Sequence, residues 1–280
     1  MHSDRDRIVQ THYSVDPEAL HERILASLQY SGKNPDALTV EDLAPIDQFH
    51  TGGVAATRAL LGLADLHPDM RVVDVGGGLG GSARLLAATI HCHVTVLDLT
   101  EAYCRAGEML TDRLGLSDRV VFYHGNALSM PFASESFDVA WLQNASMNIA
   151  DKERLFREIH RVLEPGGRLV MQDIMAGPVQ PIHFPVPWAD NAATSFLSLP
   201  EQARSLLRSI GFAEVSWVEV PPKPPAQANL ENQSAGAGIA PVPLGFQVFL
   251  GERYPEMARN SVRNRLERRT VMIQAVFDRR

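Results

Sequence analysis

Cysteine is scarce in this chain: Cys92 and Cys104 are the two among 280 residues. Two cannot build a disulfide framework, and no C-x-x-C spacing is there to hold a metal, so no metal is expected. That usage fits a reducing, cytoplasmic setting. Long apolar runs are missing as well. None reaches the ~20 residues that cross a bilayer, so no membrane partner is expected. The opening residues MHSDRDRIVQ are charged and lack the apolar stretch of a secretory signal. Positive charge is not in excess: 26 Lys and Arg stand against 33 Asp and Glu, a net charge of −7. A broad electrostatic grip on nucleic acid is therefore not expected. The basic run from Arg259 to Arg269 reads as a solvated helix face.

What is present is an ordinary globular composition, 45% hydrophobic and 21% charged. Residues 1–66 look helical. Asp16 suits an N-cap with Pro17 at the first helical position, and Leu20, Ile24 and Leu28 recur at helical spacing. A second helix is expected from Gly53 to about Ala64. From residue 71 the pattern changes to short β-branched runs alternating with helical stretches. Strands are predicted at 71–75, 93–98, 119–123, 137–142, 168–174, 213–219 and 271–278. Helices are predicted at 80–90, 101–114, 151–163 and 200–210. Such alternation gives an α/β fold with a parallel sheet covered on both faces. Residues 221–245, rich in Pro, Ala, Gly and Asn, break the rhythm and predict a loop, with an Arg-rich helix over about 253–269. An insertion there is either an active-site lid or an inert linker; its position beside the sheet favours the lid.

Residues 72–84, VVDVGGGLGGSAR, carry two overlapping glycine patterns. Gly76, Gly78 and Gly81 spell G-x-G-x-x-G, which suggests a nicotinamide or flavin dinucleotide. Asp74 with Gly76, Gly78 and Gly80 spells D-x-G-x-G-x-G, which suggests S-adenosylmethionine. Either way, a glycine turn between strand and helix lets a ligand approach the backbone and the free N–H groups of the helix. Asp98, at the end of the second strand, can accept both hydroxyls of an adenosine ribose, which both cofactors contain. Asp74 does discriminate. A carboxylate there can organise the loop and hold a cationic amino acid moiety through water, whereas it would repel a pyrophosphate.

The ordered motifs DVGGGLGG, LDLT, GNALSMPF, SFDVAW and LEPGGRL together resemble the class I S-adenosylmethionine-dependent methyltransferases. They cover roughly residues 70–220. The segments EDLAPIDQFHTGGVAAT and WLQNASMNIADKERLFREIHRVLEPGG resemble its small-molecule branch, the sarcosine/dimethylglycine N-methyltransferases and the ubiquinone/menaquinone-type enzymes. The resemblance implies a Rossmann-like seven-stranded, mostly parallel sheet with the last strand antiparallel. It divides the chain into an N-terminal helical cap (1–66), a cofactor-binding core (67–220), a lid insertion (221–270) and a final core strand (271–280). It also implies roles. Gly76, Gly78 and Gly80 pass under the methionine part of the cofactor. Asp98 chelates the ribose diol, Leu99 packs beside the adenine, and Asn126 and Ala127 border it. Gln143 faces the sulfonium, and His50 and Thr51 fold over the methionine end.

Methyl transfer from a sulfonium asks for positioning more than for a catalytic triad. Some relatives pair a His after the fourth strand with an acid on the fifth; here those places hold Asn148 and Asp173. Asn cannot take a proton, so Asp173 or His183 is the candidate base, if one is needed. Trp188 and Phe184 are expected to line an acceptor pocket with Pro187, and Trp141 to be core. The expected function is methyl transfer to a small molecule, with nitrogen favoured as acceptor over oxygen or carbon and S-adenosylhomocysteine as product. The alternatives are a nicotinamide-dependent oxidoreductase, for which no Tyr-x-x-x-Lys set is present, and a non-catalytic cofactor-binding protein. Oligomeric state is not readable.

Overall fold

The computed structural model describes residues 17–222 and 244–280; the expected cap at Asp16 and most of the expected loop, 223–243, lie outside the described residues. Three helices lead, α1 (Pro17–Tyr30), α2 (Val40–Asp47) and α3 (Gly53–Ala64). Strands and helices then alternate: β1 (Arg71–Val75), α4 (Gly81–Ile90), β2 (His93–Asp98), α5 (Glu101–Arg113), β3 (Val120–His124), β4 (Phe137–Gln143), α6 (Lys152–Val162), β5 (Leu163–Ala176), α7 (Pro200–Ile210) and β6 (Phe212–Val220). The short α8 (Gln247–Leu250), α9 (Tyr254–Leu266) and β7 (Thr270–Arg279) complete the chain.

The seven strands form one sheet in the order β3-β2-β1-β4-β5-β7-β6. Neighbours from β3 to β5 are parallel, and β7 runs antiparallel to both β5 and β6. The period-2 alternation of buried strands explains the layers. Val73, Ala140 and Leu169 face Leu155, Phe156 and Ile159 of α6 and Leu207 of α7. Their neighbours Val72, Val139 and Val170 face Leu60 of α3 and Leu86 of α4. The Rossmann-like architecture expected above is thus the observed one, with helices on both faces.

Local chemistry sets the helix ends. Thr39 and Asp42 make a reciprocal capping box at α2. Asp151 caps α6 by accepting from Arg154 N. Gly211, at φ 118°, stops α7. The helical cap rests on the sheet layer: Leu20, Ile24 and Leu28 of α1 share a cluster with Leu43 and Ile46 of α2, Ala106 and Leu110 of α5, and Val248 of α8. The basic run of α9 is not simply a solvated face. Arg263 and Arg268 do pair with Glu267 and Glu219 at the surface, but Arg265 is buried and donates to Val220 O.

Both glycine spellings have structural content. Gly76, Gly78 and Gly80 adopt φ of 73°, 56° and 78°, which favours glycine. Gly81 is needed for a different reason: a Cβ there would lie 2.2 Å from the backbone carbonyl oxygen of Asp47. Gly81→Ala is therefore expected to force α2 off the start of α4, at a cost of about 1–3 kcal/mol read from urea unfolding.

Candidate active site

The loops that follow β1, β2, β3 and β4 meet at the carboxyl ends of the parallel strands, where open α/β sheets bind ligands. They enclose a cavity of about 410 Å³, closed on the other side by residues 47–53 and by α8 and α9. Of the residues singled out from sequence, His50, Thr51, Asp74, Gly76, Gly78, Asp98, Leu99, Asn126, Ala127, Gln143, Asn148 and Trp188 line it.

Gly76 and Gly77 are shaped by their neighbours. A Cβ on Gly76 would meet Ala145 Cβ at 2.5 Å, and one on Gly77 would meet Asp74 Oδ2 at 2.6 Å. The Asp98 carboxylate organises this turn: Oδ2 accepts from Gly78 N and Oδ1 from Thr100 N, each at 2.8 Å. Burial pushes its pKa up, against the pull of those two donors. Asp74 is 2% exposed, and its Oδ2 has no hydrogen-bond partner among the described residues. Burial, and then the nearby charge of Asp98, push its carboxyl up to about 7. A buried carboxylate oxygen left unpaired on a cavity wall is a costly arrangement that a cationic ligand would relieve.

Gln143 is the hub of a buried polar cluster. Its Oε1 accepts from Ser82 Oγ at 2.9 Å and Trp141 Nε1 at 3.0 Å, while Nε2 lies 3.3 Å from His50 Nδ1. An indole N–H only donates, so Trp141 fixes which end of the Gln143 amide is oxygen. The amide nitrogen then faces His50 Nδ1, which must be the acceptor. His50 Nε2 in turn donates to Gln48 Oε1 at 3.0 Å. Desolvation holds the His50 imidazole down at about 4. His50 is thereby fixed as a neutral ring with both nitrogens engaged. Gln143→Leu leaves the Trp141 N–H and a His50 nitrogen without partners; the expected result is a loss of about 2–4 kcal/mol in urea unfolding.

Sequence reasoning took Trp141 as core. It is fully buried, and it is also the donor that orients Gln143. Other anchors went unread. Gln172 Nε2 donates to Thr51 O at 3.1 Å and to Asn144 Oδ1 at 2.9 Å, and Gln274 Nε2 donates to Gln172 Oε1 at 2.8 Å. Two glutamines paired across β5 and β7 thus tie the His50–Thr51 segment to the sheet. The aromatic wall of Phe49, Phe246, Phe249 and Tyr254 was also missed, with Phe49 and Phe246 edge-on at 5.0 Å. The F-x-x-F spacing of 246–249, just before Tyr254, was its available signal.

Four expectations need correction. Gly80 is not on the cavity wall; a Cβ there would meet Phe122 at 2.5 Å, so its role is packing behind the loop. Asp173, a candidate base, does not line the cavity. Asp173 is buried behind the wall, accepting from Ser146 Oγ, while the Asn148 amide donates to Trp188 O at 2.7 Å and Thr194 O at 3.2 Å. His183 lies away from the cavity lining, its Nε2 2.9 Å from Glu267 Oε2. Phe184 packs beside Met147, Val186 and Trp188 rather than lining the cavity. Neither candidate base, Asp173 or His183, therefore lines the cavity.

The chain is similar in sequence and fold to known methyltransferases. Residues 73–171 match the methyltransferase domain family. The glycine/sarcosine/dimethylglycine N-methyltransferase of Actinopolyspora halophila is 27% identical over 228 residues, 79% of this chain and 38% of that protein. The sarcosine/dimethylglycine N-methyltransferase of Halorhodospira halochloris is 31% identical over 152 residues, 54% of each chain. The chain thus aligns with about two fifths to a half of these relatives' lengths. Among solved structures, a geranyl diphosphate C-methyltransferase from Streptomyces coelicolor, in complex with Mg2+, geranyl diphosphate and S-adenosyl-L-homocysteine, superposes with a TM-score of 0.68 at 15% identity, covering 99% of this chain and 98% of that one. Residues 73–171 thus carry the match to the methyltransferase domain family, within a fold that it shares with solved methyltransferases.

Proposed function

We propose that this protein transfers a methyl group from S-adenosylmethionine to a small-molecule acceptor. The observation that carries the reading is the unpaired Asp74 carboxylate oxygen beside a left-handed glycine turn, with Asp98 at the end of the next strand. A nicotinamide dinucleotide would bring a pyrophosphate against that carboxylate; a cationic nucleoside would bring the opposite charge.

The chain's residues would hold the cofactor along its length. Asp74 favours its cationic amino acid end, and Gly76 and Gly78 allow close backbone approach. Asp98 accepts from the ribose hydroxyls, and Leu99, Asn126 and Ala127 border the base. When bound, the cofactor would supply a sulfonium methyl to the acceptor's electron pair and be left as a neutral thioether, and any proton on the acceptor atom would be lost to solvent as the product leaves. The protein contributes orientation and exclusion of water. His50, with both nitrogens bonded, acts in positioning the wall rather than as a base.

Equilibrium dialysis with methyl-labelled S-adenosylmethionine, beside fluorescence titration with NADH, tests this. Saturable binding of the sulfonium at one site, without NADH binding, is the expected outcome. Binding of NADH in preference would overturn the proposal.

A further inference from the structure

The end of the cavity away from the glycine turn is walled by Met147, Ile174, Trp188, Tyr254, Ala258 and Val262. These come from the turn after β4, the end of β5, the loop beyond it, and α9. The wall is almost wholly carbon. Apart from the Tyr254 and Ser261 hydroxyls, its polar groups donate within the protein: the Trp188 indole to Ser195 Oγ at 3.0 Å, and the Asn148 amide to two carbonyls. Among the described residues, the charged groups lining the whole cavity are the carboxylates of Asp47, Asp74 and Asp98, with no Lys or Arg. Two cations stand near the cavity but outside its lining, and both are engaged: Arg84 is held by Asp47 at 3.0 Å, by Thr111 Oγ1 and by Gly107 O, and Lys152 Nζ donates to the carbonyls of Ser146, Ile149 and Phe196. No group of three or more His, Cys, Asp or Glu placed to hold a metal occurs among the described residues.

From this wall we infer that the acceptor is an uncharged, largely apolar molecule, and that acceptors bearing a carboxylate or a phosphate are rejected. The inference rests on the function proposed above and specifies its substrate class. An anionic head entering this cavity would surrender its hydration without a cation to replace it, and would face carboxylates of its own sign. An apolar body instead exchanges water for aromatic and aliphatic surface. The site therefore departs from the relatives named for sarcosine and dimethylglycine, whose substrates carry a carboxylate, and from the neighbour that holds geranyl diphosphate with Mg2+.

Three probes separate these chemistries. The full-length protein, saturated with S-adenosylhomocysteine, is titrated calorimetrically with geraniol, with geranyl diphosphate in the presence and absence of Mg2+, and with dimethylglycine. Geraniol and its diphosphate share one tail and differ in charge. The expected result is saturable binding of geraniol, binding of the diphosphate at least tenfold weaker under both conditions, and no heat from dimethylglycine. Ala258→Arg adds a cation to the same wall; it is expected to improve diphosphate binding at least tenfold. Tighter binding of the diphosphate or of dimethylglycine than of geraniol by the unaltered protein overturns the inference, and so does failure of geraniol to bind. Failure of S-adenosylhomocysteine to bind is a separate result, which strikes the proposed function itself.

Discussion

Asp74→Asn is expected to make the ligand-free protein more stable at pH 8 and a much poorer binder of S-adenosylmethionine. The Asp74 carboxyl is pushed from its ordinary 3.8 up to about 7, by burial first and the charge of Asp98 second. Below pH 3.8 the folded and unfolded states both carry the proton, and nothing is lost. As pH rises, the unfolded chain ionises first, so stability falls until about pH 7 and then levels off. A three-unit shift sets a ceiling of about 4 kcal/mol. Asparagine mimics the protonated acid at every pH. Its advantage in urea unfolding should therefore be near zero at pH 4 and about 2–4 kcal/mol at pH 8. Affinity should move the other way, falling about 10- to 100-fold, because a buried partner charge for the cation is gone. Stability gained by removing a strained site residue and binding lost with it is a common exchange. His50 adds an opposite slope. Burial holds it at about 4, so acidification from its ordinary 6.5 removes stability, because the unfolded state takes the proton first. In wild type the two slopes oppose each other; Asp74→Asn should expose the His50 slope.

The second large effect belongs to Asp98. Asp98→Ala removes the acceptor for the Gly78 and Thr100 amides, both at 2.8 Å, and with it the group proposed to hold the ribose. Charge-assisted hydrogen bonds of this kind contribute about 1.5–3 kcal/mol each. Affinity for S-adenosylhomocysteine is expected to fall at least ~100-fold, equivalent to about 3 kcal/mol. Asp98→Asn, which keeps one acceptor oxygen, should lose less. Calorimetric titration of both variants checks the order; equal affinity in Asp98→Ala and wild type would remove the ribose role.

Much of the fold was legible because burial imposes simple periods. The predicted strand 93–98 matches β2 and 71–75 matches β1 without a shift. β5 begins five residues earlier than predicted, at Leu163, because the chain pairs with Phe137 before its Pro-Gly-Gly segment. α2 escaped notice: eight residues with Pro45 inside make a weak pattern, and its existence depends on Leu43 and Ile46 packing under α1. The cavity end near the glycines was readable because its chemistry is local, with Asp74 and the turn inside one short segment. The base candidates were not readable in this way. Asp173 is taken up by Ser146, 27 positions away, and His183 by Glu267, 84 positions away. Periodicity carries no information about such pairings. Gln143 lines the cavity as expected, but its partners were not legible for the same reason, since the hub is made by Trp141, Ser82 and His50 together.

The central claim is that the turn after β1 and the end of β2 receive a sulfonium nucleoside. A crystal structure of the protein soaked with S-adenosylhomocysteine tests it most directly. The account predicts the nucleoside in this cavity, with both ribose hydroxyls within hydrogen-bond distance of the Asp98 carboxylate and the amino acid end on the side of Asp74. Density for the nucleoside elsewhere, or a ribose held without Asp98, would contradict it.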